Sequence, residues 1–150
     1  MRASRMKVKH QLVLSLAFAH LLLPAAALAD DAPKAVTVTP VFSGSATVTG
    51  QPITLPAGPA SVIVSRYVIQ PGAKLPVHRH PYHRYAYVEA GTLAVYAADS
   101  GKRFDYKAGD FIVELLGDWH YGENTGSAPV ELLVIDQVPE GVTGNTEVRP

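Results

Sequence analysis

The 150-residue chain contains no cysteine. A disulfide framework and a thiolate metal site are therefore both closed to it, as is lipid attachment at a cysteine behind its N-terminal apolar run. It has no excess of either charge, with 13 basic and 13 acidic residues. That removes the broad basic face by which a domain binds nucleic acid or an anionic membrane surface. No apolar run approaches the ~20 residues a membrane-spanning helix needs. Nor does any stretch beyond residue 30 keep the 3.6-residue apolar period of an amphipathic helix, which leaves strands as the framework.

At the N-terminus, Arg2, Arg5, Lys7 and Lys9 precede an apolar stretch from Leu12 to Leu23 that Pro24 breaks; Ala27-Leu28-Ala29 follows. That order is a secretory signal peptide over residues 1–29, with cleavage expected after Ala29. The absence of paired arginines points to export of the unfolded chain. The expected location is periplasmic or secreted, with no membrane attachment after cleavage. Four basic residues leave with this segment, so 9 basic residues face 13 acidic ones and the remaining chain carries a formal charge of −4. Residues 30–150 suffice for one domain with one core.

Short β-rich runs alternate with turns rich in the chain's 12 glycines and 12 prolines. Strands are expected within 35–42, 51–59, 60–69, 77–80, 84–88, 92–97, 102–106, 111–116, 119–124 and 130–137. The 60–69 run (ASVIVSRYVI) alternates most cleanly: Val62, Val64 and Val68, with Arg66 among them, share one face, and Ile63, Tyr67 and Ile69 the other. Many short strands at even spacing indicate an all-β sandwich or barrel. Residues 139–150 (PEGVTGNTEVRP) are expected to form an extended tail that is disordered or lies along a neighbouring chain.

Beyond residue 29 only four histidines remain: His78, His80, His83 and His120. Residues i and i+2 of a strand face the same way, so His78 and His80 can reach one ion, with His120 arriving from another strand. Imidazole suits zinc, copper, nickel and iron. The spacings Gly72-x5-His78-x-His80-x3-Arg84-x6-Gly91 and Gly109-x5-Leu115-x-Gly117-x2-His120-x3-Asn124 resemble the two motifs of the cupin superfamily. The resemblance covers residues 60–137. It implies an all-β fold, a jelly-roll barrel (double-stranded β-helix), in a single domain over residues 30–150. It further implies a divalent transition metal (Zn, Cu, Ni, Fe or Mn) on His78, His80 and His120, and a homodimer paired through edge strands, for which residues 35–42 are available.

Two positions depart from the family pattern. Leu115 replaces the usual Pro, and Arg84 stands where the family has a metal-ligating Glu. A guanidinium has no lone pair to donate. His83 is the first candidate for the missing fourth ligand, although its parity sets it on the opposite face unless Pro81 resets the register. Glu114 and Glu123 are the nearby acids, and either is a candidate partner for Arg84. The resemblance implies that Glu at position 84 would restore the missing carboxylate. If Arg84 points inward, it would favour a small organic anion, which it binds together with Tyr82, Trp119 and Glu114 as candidate ligand-contacting residues. Two functions follow: a metal enzyme acting on a small organic acid or phenol, or a non-catalytic binding or sensing module for a small molecule or metal outside the cytoplasm. A third is a metal-free structural barrel. No catalytic residue is assigned from the sequence.

Overall fold

The computed structural model describes residues 35–150, so the expected signal peptide lies outside the described residues. Val38–Pro150 form one compact unit. Its nine strands are β1 (Ala60–Ile69), β2 (His78–Arg79), β3 (Arg84–Ala90), β4 (Thr92–Ala97), β5 (Arg103–Lys107), β6 (Phe111–Val113), β7 (His120–Asn124), β8 (Val130–Pro139) and β9 (Glu147–Val148). No helix occurs among the described residues. The strands form two antiparallel sheets, ordered β1-β8-β3-β6 and β5-β4-β7-β2-β9. This is the expected all-β jelly-roll.

Alternation builds the core. On β8 every second residue, from Val130 through Leu132, Val134 and Asp136 to Val138, is buried. Ala86 and Val88 on β3, Leu93, Val95 and Ala97 on β4, and Ile112 on β6 close over them. On β1 the expected parity holds: Ile69 is buried, Tyr67 packs against the core, and Val62, Val64 and Val68 face outward. Gly91 ends the first motif at the β3–β4 turn. Its φ is +81°, and a Cβ there would meet Pro129 O at 2.6 Å, so only glycine fits. Asn124, the last residue of the second motif, is buried. It donates to Ile69 O and Ala128 O at 2.8 Å each and accepts from Gly126 N–H, a turn-forming role.

Two expectations about the ends do not match. Residues 35–44 form no strand, and Val38, Val41 and Phe42 are exposed; Pro40 cannot donate to a ladder. Residues 51–59 contribute only an isolated bridge, Ala46 with Pro52. The C-terminal segment, by contrast, is not a free tail. It returns to its own barrel as β9 and pairs with β2 through His78↔Val148 and Arg79↔Glu147.

Candidate metal centre

Four side chains converge inside the barrel. His78, His80, Glu114 and His120 offer ligand atoms that all lie within 4.8 Å of one another. The ladders explain the convergence. His78 on β2 is the cross-strand partner of His120 on β7, so their side chains share a face. His80 follows two residues after His78. Glu114 lies one rung beyond the Tyr85↔Val113 pair, its N–H donating to Arg84 O at 2.9 Å. It therefore faces inward beside Arg84.

Each imidazole is held from behind. Nδ1 of His78 donates to Pro76 O at 2.8 Å, that of His120 to Asp118 O at 2.8 Å, and that of His80 to Asn145 O at 2.6 Å. A proton on Nδ1 leaves Nε2 with its lone pair toward the shared centre. Glu114 Oε2 lies 3.2 Å from His80 Nε2 and 3.3 Å from His120 Nε2. Bare lone pairs that close repel unless a proton or a metal ion lies among them. Burial pushes the His78 imidazole down to about 4, so it is neutral at pH 7. Burial alone would raise the Glu114 carboxyl, but His120 and His80 outweigh it and hold the group well below the usual carboxylate range. Three imidazoles and one carboxylate suit a divalent transition metal, and the residues fit one.

Arg84 points into the barrel, but its fork is taken. Nε donates to Asp136 Oδ1 at 2.7 Å and Nη2 to Asp136 Oδ2 at 2.8 Å, with both residues buried. Burial alone would lower the guanidinium; Asp136 and Glu114 hold it above its ordinary value. The expected acid partner was Glu114 or Glu123. Glu114 is in the metal cluster instead, and Glu123 alternates out of phase with the buried Gly122 and Asn124 of β7. Asp136 was missed, although an acid at an inward position of an otherwise apolar strand was a visible signal. Arg84 nevertheless lines the cavity around the cluster with Tyr67, Leu75, Leu132 and Val134. It also lines a neighbouring pocket of about 180 Å³ beside His78, Thr146 and Val148.

Three other candidates lie elsewhere. His83 is buried on the opposite face, where its Nε2 accepts from Thr54 N–H at 2.9 Å. It is not the fourth donor of the cluster: Pro81 does not reset its register, and Glu114 takes that place. Tyr82 lines a separate surface pocket with His83, Thr54 and Pro56. Trp119, one residue out of phase with inward His120, has the guanidiniums of Arg79 and Arg149 4.7 and 5.5 Å from its ring centroid. Neither aromatic lines the metal cavity.

The family model of the cupin domain matches residues 65–136. The crystal structure of oxalate decarboxylase from Lactobacillus farciminis in its formate complex superposes with a TM-score of 0.50 at 25% identity, over 58% of this chain and 26% of that one. This chain thus spans about a quarter of that protein's length. BH2720 from Bacillus halodurans superposes with a TM-score of 0.49 at 25% identity, over 58% of this chain and 70% of that one. A sugar phosphate isomerase of the cupin superfamily from Silicibacter pomeroyi gives 0.44 at 26% identity, over 50% and 49% of the two chains. No curated protein sequence matches the chain.

Proposed function

The chain belongs to the cupin superfamily, and we propose that it holds one divalent transition metal on His78, His80, His120 and Glu114 and binds a small organic monoanion there. The observation that carries this reading is the convergence of four donors within 4.8 Å, with every imidazole oriented by a carbonyl. When bound, such an ion supplies Lewis acidity and an attachment point for an oxygen ligand.

Charge selects the ligand class. Glu114 offsets one unit of a dication, and Asp136 offsets Arg84, so the interior retains one positive charge. A monocarboxylate or comparable monoanion neutralises it; a dianion overshoots. Nη1 of Arg84 makes no hydrogen bond among the described residues, and it supplies donors toward such an anion. The apolar lining, Leu75, Leu93, Val95, Leu132 and Val134, restricts the ligand to a few heavy atoms. The formate complex of the oxalate decarboxylase with similar structure agrees with a small carboxylate.

The first reading is binding without turnover. Of the ionisable groups lining the cavity, only Tyr67 is neither in the cluster nor ion-paired. That placement favours, as a second reading, an enzyme in which the Tyr67 hydroxyl moves a proton. Export past the N-terminal 29 residues and a homodimer complete the proposal. The dimer is supported by the exposed valines of β1, an edge strand. Calorimetric titration of formate, acetate and oxalate into the zinc- or manganese-loaded protein tests the function. Monoanion binding that is lost with the metal is expected; equal binding by the metal-stripped protein would refute the reading. Product formation that Tyr67→Phe abolishes would select the enzyme.

A further inference from the structure

Two of the three imidazoles are oriented by their own strands. His78 and His120 each donate to the carbonyl two residues earlier, at 2.8 Å. His80 donates to Asn145 O, 65 residues away, at 2.6 Å. Asn145 is also the one buried residue of 141–150. Its side chain is fully engaged: Oδ1 accepts from Tyr82 N–H at 3.0 Å, and Nδ2 donates to Tyr82 O at 3.0 Å and to Asp136 Oδ1 at 2.7 Å. Tyr82 follows His80 by two residues, and Asp136 is the partner of Arg84. One asparagine therefore ties together the backbone just after His80, the Arg84–Asp136 pair and the ring of His80 itself. Around it the segment is fastened by Arg149 N–H to Val77 O at 2.8 Å, Arg79 to Glu147 at 2.7 Å and Arg149 to Asp99 at 3.0 Å.

We infer that residues 142–149 are a strap that completes the metal centre from outside the barrel, with Asn145 as the positioning residue for His80. With the strap seated, His80 keeps its proton on Nδ1 and its Nε2 lone pair aimed at the centre. With the strap displaced, that ring loses the carbonyl that holds its Nδ1, while the other two keep theirs. Thr146 and Val148 also line the pocket that shares Tyr67, Leu75, His78 and Arg84 with the metal cavity, so the strap borders the site as well as setting a metal donor. Coupling of this kind is reciprocal: a metal that binds more tightly with the strap seated holds the strap down.

The inference rests on the metal-binding reading above, and its test keeps the two apart. Affinity for cobalt(II) is measured, by its visible absorption and by chelator competition, in the wild type, Asn145→Ala, Asn145→Asp and Val130→Ala. Val130 is fully buried in the core and serves as a control for general destabilisation. Both Asn145 variants keep the backbone carbonyl; Ala loses all three side-chain bonds, whereas Asp keeps an acceptor for Tyr82 N–H, loses both Nδ2 donations and sets a second carboxylate against Asp136. Loss of an orienting partner typically weakens metal binding about 10–100-fold. That loss, with an altered cobalt spectrum, is expected for both Asn145 variants, and unchanged affinity for Val130→Ala despite its lower melting temperature. In the wild type, zinc should slow amide exchange at Glu147–Val148 and Arg149 more than in β5. The strap inference falls if Asn145→Ala binds cobalt like the wild type, or if zinc protects β5 and β9 equally. A wild type that binds no cobalt would overturn the metal reading itself, and this inference with it.

Discussion

Replacing Arg84 by Met leaves the Asp136 carboxylate buried with one side-chain donor, Asn145 Nδ2 at 2.7 Å. Both members of the pair are almost wholly enclosed, at 6% and 4% side-chain exposure, so little water can take the guanidinium's place. Removing one partner of a buried ion pair costs about 3–5 kcal/mol, on the order of 10–20 °C in melting temperature for a domain of this size. Asp136→Leu alone should cost a similar amount, stranding Arg84 instead. The double variant should recover most of the loss, because apolar replacement of a buried pair is commonly neutral or stabilising. Urea unfolding of the four proteins, stripped of metal so that ligand linkage does not contribute, gives the coupling energy directly. If Arg84→Met costs under about 1 kcal/mol, the pair is not the buried, desolvated one described here. Arg84→Glu is the sharper variant. The family pattern implies a restored metal ligand; the structure instead implies a third carboxylate beside Glu114 and Asp136, with lower stability and no gain in metal affinity.

Elemental analysis should find about one divalent transition metal per chain, none in the His78→Ala/His120→Ala double variant, and at least tenfold weaker binding in Glu114→Gln; unaltered content in the double variant would place the site elsewhere. In the metal-free protein, His78 at about 4 when folded against 6.5 unfolded contributes stability that is complete above pH 6.5 and lost as pH falls toward 4. The full loss is about 3 kcal/mol, of which about 2 kcal/mol is reached by pH 5; melts at pH 7.5 and 5 should show that part, and His78→Gln should flatten it. Exported material should begin at Asp30 by intact mass, and retention of Met1 would refute cleavage. Light scattering should give twice the chain mass, reduced to one by Val64→Lys on the exposed face of β1; a monomeric wild type would rule the dimer out.

The strands and the three histidines were legible because both depend on period. Alternation placed Val62, Val64 and Val68 on one face of β1 and Ile69 on the other, and the structure turns the first face outward and Ile69 inward; the i, i+2 spacing of His78 and His80 required a shared face. The ends were illegible for the converse reason. In residues 139–150 the element is two residues long, held by Asn145 and by ion pairs to sites about 50–70 residues away, and none of these partners leaves a local trace. The fourth donor shows where spacing along one chain fails. The family pattern sets a carboxylate at position 84, and His83 beside it was the first candidate to replace it, since the motif counts residues along the chain. The barrel, however, reads positions across ladders, and Glu114 N–H donates to Arg84 O at 2.9 Å, so residues 84 and 114 are neighbours facing the same interior. A carboxylate can move from one to the other by a single rung and still reach the same centre. Once it has moved, position 84 need only be compatible with a carboxylate beside it. Arg84 meets that requirement because the next strand over, β8, sets Asp136 opposite it in register. The departure that looked like a lost ligand is, on this geometry, a charge-balanced exchange across three adjacent strands, β6, β3 and β8, in which Glu114, Arg84 and Asp136 have to be considered together.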